Sequence, residues 1–151
     1  MLTRASDRVT SKRYAELGAV DVPSRSVRVL ASTSNPVDGE ALESWDLARF
    51  EKNPVILWNH NEDPAAPKLP IGRAEDIEST PQGLSMRIVF ASSRVNPFAE
   101  QIWQGIQEKM IRGISVGFDP GADRTEDVEG KPVTVRSANM LCEVSVVPVP
   151  K

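Results

Sequence analysis

A chain of 151 residues, 40% hydrophobic and 26% charged, fits one ordinary domain with a real core. Its 18 basic and 21 acidic residues leave a net charge of −3, no footprint for nucleic acid, and no apolar run approaches the roughly 18 residues of a membrane span. One cysteine, Cys142, and one histidine, His60, exclude an internal disulfide, fit a reducing compartment and argue against a structural zinc site.

Residues 1–24 are polar and weakly periodic, with Arg4 and Arg8 but no apolar h-region, and read as a flexible N-terminal arm ahead of a single domain over 25–151. SVRVLAST sets Val27, Val29 and Ala31 against Arg28 and Leu30, the alternation of a strand. The turn-rich segment NPVDGEALESWDLARFEKNP holds one helical turn, with Leu42, Trp45 and Phe50 turned inward. VILWNHN, 55–61, reads as the next strand, with Trp58 and His60 on one face, and EDPAAPKLP as a proline-rich loop. IGRAEDIES and GLSMRIVFA form two antiparallel strands joined by TPQG. Asn96 is a good N-cap, Pro97 suits the first helical position, and Phe98, Ile102, Ile106 and Met110 make an apolar stripe. IRGISVGFDP is a strand, DPGADRTEDVEGKP an acidic loop or hairpin, VTVRSAN a strand, and MLCEVSVVPV a last strand apolar on both faces. The expected fold is mainly β with helices: a mostly antiparallel β domain with one or more helices packed on it.

IRGISVGFDP poses the chemical question. Period-2 alternation puts Gly113, Ser115 and Gly117 on one face and Ile114, Val116 and Phe118 on the other. Glycine inside a strand often marks close approach of a backbone or ligand. Ser115 is either a small residue in a tight strand or a nucleophile, which needs a base and donors for an oxyanion. His60 has the ordinary pKa for that base, or is a satisfied edge-strand histidine. Glu143, on a strand whose Leu141, Glu143, Ser145 and Val147 alternate with Cys142, Val144 and Val146, needs a partner for its carboxylate. That partner is a histidine or an arginine. Asp119, Asp123, Asp127 and Glu129 miss the calcium-loop spacing, Cys142 reads as a packing residue, and GISVGF lacks the lysine and helix of a phosphate loop. No cofactor site is expected.

In chain order, VLAST, FEKNPVILWNHN, PIGRAEDIE, GLSMRIVF, IRGISVGFDP and LCEVSVVPVP make residues 27–150 resemble the prohead serine proteases of tailed bacteriophages. The W-N-H, S-V-G-F and E-V-S-V-V-P-V-P elements together carry the likeness. The resemblance implies a β-barrel surrounded by helices, like that of the herpesvirus assembly protease. It makes Ser115 the nucleophile, His60 the general base and Glu143 the third member, with Gly113 and Gly117 leaving room for a substrate strand, which could also pair with a strand edge. Backbone amides near Gly117, Arg112 or Arg136 are candidate oxyanion donors. The implied activity is a serine endopeptidase of capsid maturation that cuts scaffold or the capsid delta region, and itself, inside a prohead assembled in the bacterial cytoplasm. Its partners would be scaffold and major capsid protein, and a homodimer, with no nucleic acid and no membrane. The alternative is a non-catalytic assembly module that keeps the fold. Family members commonly continue beyond VPVPK into a longer tail, so the resemblance implies trimming by design or by self-cleavage.

Overall fold

Alternating β-branched runs become strands, and the computed structural model, which describes residues 11–149, is built mostly of them. In chain order the elements are β1 (Ser11–Asp21), β2 (Ser26–Thr33), β3 (Glu40–Leu42), β4 (Trp45–Asp46), α1 (Ala48–Glu51) and β5 (Val55–Trp58). They continue with β6 (Gly72–Thr80), β7 (Gly83–Phe90), α2 (Pro97–Gln107), β8 (Gly113–Asp119), β9 (Ala122–Val128), β10 (Lys131–Ser137) and β11 (Asn139–Val147). Seven strands close a barrel in the order β11-β5-β6-β7-β2-β1-β8, with β8 returning to β11, and β4 extends β11 outside the ring. Within the ring only β5 and β11 run parallel. A separate small sheet has the order β3-β10-β9.

The barrel interior is the core. Val27, Ala31, Ile56, Ile88, Ile114, Val116, Val144 and Val146 are fully buried there. Trp45 meets Phe118 edge-on with centroids 5.2 Å apart, and Phe90 stacks on Trp103 at 5.2 Å. The mainly β reading therefore holds, with α2 and the single turn of α1 as the α-helices of the described residues. None of the helices is long and apolar enough to cross a membrane.

Two expectations change. The arm predicted over 1–24 does not hold for residues 11–21, because they are β1, a barrel strand between β2 and β8; residues 1–10 lie outside the described residues. Few buried apolar side chains mark β1, since only Arg13 of it is buried. It is held in the wall by backbone pairing with β2 on one side and β8 on the other, with Ala15 and Leu17 packed partly buried against the core. The helix stripe also differs: α2 buries Ala99, Ile102, Trp103 and Ile106, and Met110 is exposed. The chain leaves the helix at Lys109 (φ 61°), where the amides of Met110 and Ile111 return to the carbonyl of Gly105. Of the two forms expected for the acidic segment, the structure has the hairpin, β9–β10, and all of β9 is exposed.

Two local devices support the fold. Asn96, 1% exposed, accepts the Phe98 amide at 3.1 Å as the α2 cap and donates to the carbonyls of Leu69 and Pro70 at 3.3 and 3.2 Å. Asn96→Ala should destabilise by about 1–2 kcal/mol, the usual cost of a lost cap, and Asn96→Asp, which keeps the acceptor, should recover part of it in thermal melts. In the small sheet, Glu43 takes a two-pronged grip from Arg124 (2.9 and 2.7 Å) and the Ser137 hydroxyl at 2.6 Å. Those hydrogen bonds hold its carboxyl down at about 2, from an ordinary 4.5. A depressed carboxylate stabilises above its ordinary value and loses that contribution as it protonates. Acid titration should accordingly loosen the β9–β10 amides as pH falls from 4.5 toward 2, and Glu43→Gln should flatten the transition seen by hydrogen exchange.

Candidate active site

The histidine sits on a turn, not a strand. β5 ends at Trp58, short of the predicted Asn61, and Asn59, His60 and Asn61 have φ of 46°, 57° and 57°. A left-handed residue costs roughly 1–2 kcal/mol, least for Asn, Asp and His, so N-H-N is a composition suited to this turn. That signal was available in the sequence and the strand alternation obscured it. The turn is tied down by the Glu62 amide on the Asn59 carbonyl (3.0 Å), by Lys68 Nζ on the carbonyls of Asn61 and Asp63 (2.8 and 2.9 Å), and by the His60 amide on Ser145 Oγ (3.0 Å).

The nucleophile candidate and its neighbours come from the seam where β8 pairs with β11. Ser115 lies opposite Ser145 and Gly117 opposite Glu143. Leu141 and Glu143, two apart, would share a face in a regular strand. The register shifts between them, so that Leu141 pairs with Phe118 in the core while Glu143 pairs with Gly117 on the outer wall. Such a bulge inserts one residue, here Cys142, and re-aims the side chains beyond it. The alternation expected for 141–147 fails at this point, and for this reason.

Three predicted residues meet on this wall. His60 Nε2 is 2.8 Å from Ser115 Oγ, and His60 Nδ1 is hydrogen-bonded to Glu143 Oε1. Ser115 is fully buried, the His60 side chain is 4% exposed and that of Glu143 28%. A carboxylate only accepts, so Nδ1 carries the proton and Nε2 is left free to accept from the serine hydroxyl. Among the described residues no group of three or more His, Cys, Asp or Glu side chains is arranged to hold a metal.

The glycine strip has a different surrounding from an open track. Gly113 and Gly117 are buried. A Cβ on Gly117 would lie 2.7 Å from Glu143 Cγ and 3.0 Å from its Oε1, so this glycine makes room for the carboxylate. β8 pairs with β1 on one side and β11 on the other throughout Gly113–Phe118, which leaves no free edge beside Ser115 for an added strand. Arg136 binds Glu40 at 2.7 Å in the small sheet, and Arg112 Nε donates to the Lys109 carbonyl at 2.9 Å. Cys142 is half-buried and its thiol is pushed up by burial and by nearby Asp119.

Sequence reasoning missed four neighbours. Ser145 carries the amide of His60, and β1 lays Tyr14 opposite Ser115 and Lys12 opposite Gly117. Lys12 Nζ reaches Glu62 Oε1 at 2.8 Å, a hydrogen bond that raises its pKa. No local pattern identifies Lys12 or Tyr14, because only the barrel closure brings residues about a hundred positions apart into register.

The profile of the family described as Caudovirus prohead serine protease matches residues 30–151. The chain belongs to this family. All of β5, β8 and β11 fall inside the match, as do His60, Ser115 and Glu143, whereas β1 precedes it. The chain is also similar to the capsid polyprotein of Pseudomonas phage PAJU2, with 27% identity over 127 residues. The similar region covers 80% of this chain and 18% of that protein, so the chain spans under a fifth of its relative's length. No solved structure matches. For a prohead protease chain with one histidine, the site can be read by a single imidazole signal. Gly117→Ala should push Glu143 off His60, shifting the imidazole N–H resonance toward that of an unpaired ring while the barrel amides stay in place.

Proposed function

We propose that this prohead protease family member is a serine endopeptidase whose nucleophile is Ser115, with His60 as general base and Glu143 holding the imidazole. The observation that carries the reading is the unbroken chain Ser115 Oγ, His60 Nε2, His60 Nδ1, Glu143 Oε1, with the first contact at 2.8 Å. As Ser115 Oγ attacks the scissile carbonyl, its proton moves to Nε2 and the imidazolium formed is stabilised by the Glu143 carboxylate. The proton then passes to the leaving amine, the C–N bond breaks and an acyl-serine remains. Water repeats the sequence, giving up a proton to Nε2 and releasing the acid.

The proposed substrates are scaffold and capsid protein, including the delta region, and the chain itself, inside an assembling prohead in the host cytoplasm. Family membership and the likeness to a phage capsid polyprotein support this. An assemblin-like fold belongs to the same reading and is supported by the closed, mostly antiparallel barrel with the serine and histidine on its wall. Because Ser115 is fully buried, a peptide reaches it only after neighbouring atoms move. Self-association of two copies is one way to drive that opening, and it makes the labelling rate of Ser115 by a fluorophosphonate rise with protein concentration.

Ser115→Ala and His60→Ala should each lower cleavage of a scaffold-derived peptide by on the order of 10³-fold or more with an unchanged circular dichroism spectrum. A Ser115→Ala chain that still cleaves would end the proposal. Absence of fluorophosphonate labelling at every concentration would favour an assembly module without catalysis.

A further inference from the structure

We infer that Ser145 is a positioning residue for His60, an inference that rests on the reading of His60 as the base. Ser145 is a hydroxyl set between Val144 and Val146, and it is fully buried. A buried hydroxyl is costly unless it is hydrogen-bonded, so its contacts identify what it is for. The contacts are both to His60: Oγ accepts the backbone N–H at 3.0 Å and lies 3.4 Å from Nδ1.

The ring is thereby held at its root as well as at its edge. Glu143 engages Nδ1 and orients the plane of the imidazole, but leaves the backbone of residue 60 unconstrained. That backbone is in a disfavoured conformation, φ 57° and ψ 24°, between two other residues of positive φ. Such geometry persists only where the surroundings over-determine it. Ser145 supplies the constraint from the strand that also carries Glu143, and from the position directly opposite Ser115 in the register. The β8–β11 seam therefore sets the nucleophile and the anchor of its base side by side. A second consequence is electrostatic. The Nδ1 proton belongs to the Glu143 hydrogen bond, so Nδ1 has no lone pair for the Ser145 hydroxyl to donate to, and Ser145 presents its oxygen to His60. The negative end of the hydroxyl dipole is turned to the ring that becomes positive as it takes the Ser115 proton.

The test uses the whole chain with Ser145→Ala and Ser145→Thr. Peptide cleavage and fluorophosphonate labelling report catalysis; amide hydrogen exchange at His60 and the imidazole N–H signal of this lone histidine report position. Ser145→Ala should lower kcat on the order of tenfold with KM changed by less than about twofold, the signature of a lost transition-state geometry rather than lost binding. It should also speed exchange of the His60 amide while the barrel amides keep their protection. Ser145→Thr, which retains the hydroxyl, should recover kcat and amide protection above the Ala level. The inference is overturned by a Ser145→Ala chain with parental kcat and a protected His60 amide. It is equally overturned if melting temperature falls while kcat is kept, which is a packing role alone, or if a folded Ser145→Thr chain is no better than Ser145→Ala. Failure of the base reading looks different: Ser115→Ala or His60→Ala would still cleave, whereas the exchange and imidazole readouts of Ser145→Ala need no cleavage.

Discussion

β8 and β11 close the barrel against one another, and the register they adopt decides which side chains can meet on its outer wall. With Val116 opposite Val144 and Ile114 opposite Val146 facing the core, Ser115 and Ser145 are forced outward as a pair. A slip of one residue would send those valines to the outer wall and the serines into the apolar interior, at the cost of core burial along both strands. The core thus enforces the placement of the polar cluster. Glu143 and Ser145 keep the outward phase, and the extra residue at Cys142 is what lets Leu141, two positions before Glu143, turn into the core. Gly117 then completes the arrangement by offering no side chain where the carboxylate lies.

The histidine arrives from the opposite direction, at the end of a strand that runs parallel to β11. β5 carries Ile56 and Trp58 into the core and then stops. Three left-handed residues follow, and that reversal lifts the imidazole over the seam instead of continuing along the wall. The strain of the turn is offset by hydrogen bonds donated by Lys68 and the Glu62 amide and by the one Ser145 Oγ accepts from the His60 amide. The same enclosure leaves the serine without solvent exposure.

The second sheet is stabilised by different physics. Its small apolar cluster of Ala41, Val133 and Val135 is supplemented by charge pairs at the surface, notably Glu43 with Arg124 and Arg136 with Glu40. β9 contributes no buried side chain at all. Exposed pairs of this kind are weak singly, and they gain from the forked geometry of an arginine on one carboxylate. The hairpin therefore depends on its charge pairs more than the barrel does, since the barrel has a large apolar interior.

Much of this was legible from residues alone. The cap at Asn96, the β6–β7 hairpin and the strand nature of SVRVLAST and GISVGFD follow from local preferences, and His60, Ser115 and Glu143 were singled out by chemistry and by resemblance. Other features were not legible, because they depend on partners distant in the chain. β1 looks like a polar arm, since it joins the wall mainly by backbone pairing with β2 and β8 and packs only Ala15 and Leu17 against the core, a weak hydrophobic signal. The bulge at Cys142 is silent in the sequence, as both faces of β11 are apolar and either alternation fits. Ser145 reads as one more residue in a valine-rich strand until the turn carrying His60 is placed above it. Local composition determined most of the barrel strands, the α2 cap and the candidate side chains; barrel closure, a matter of register between distant strands, decided which of them touch.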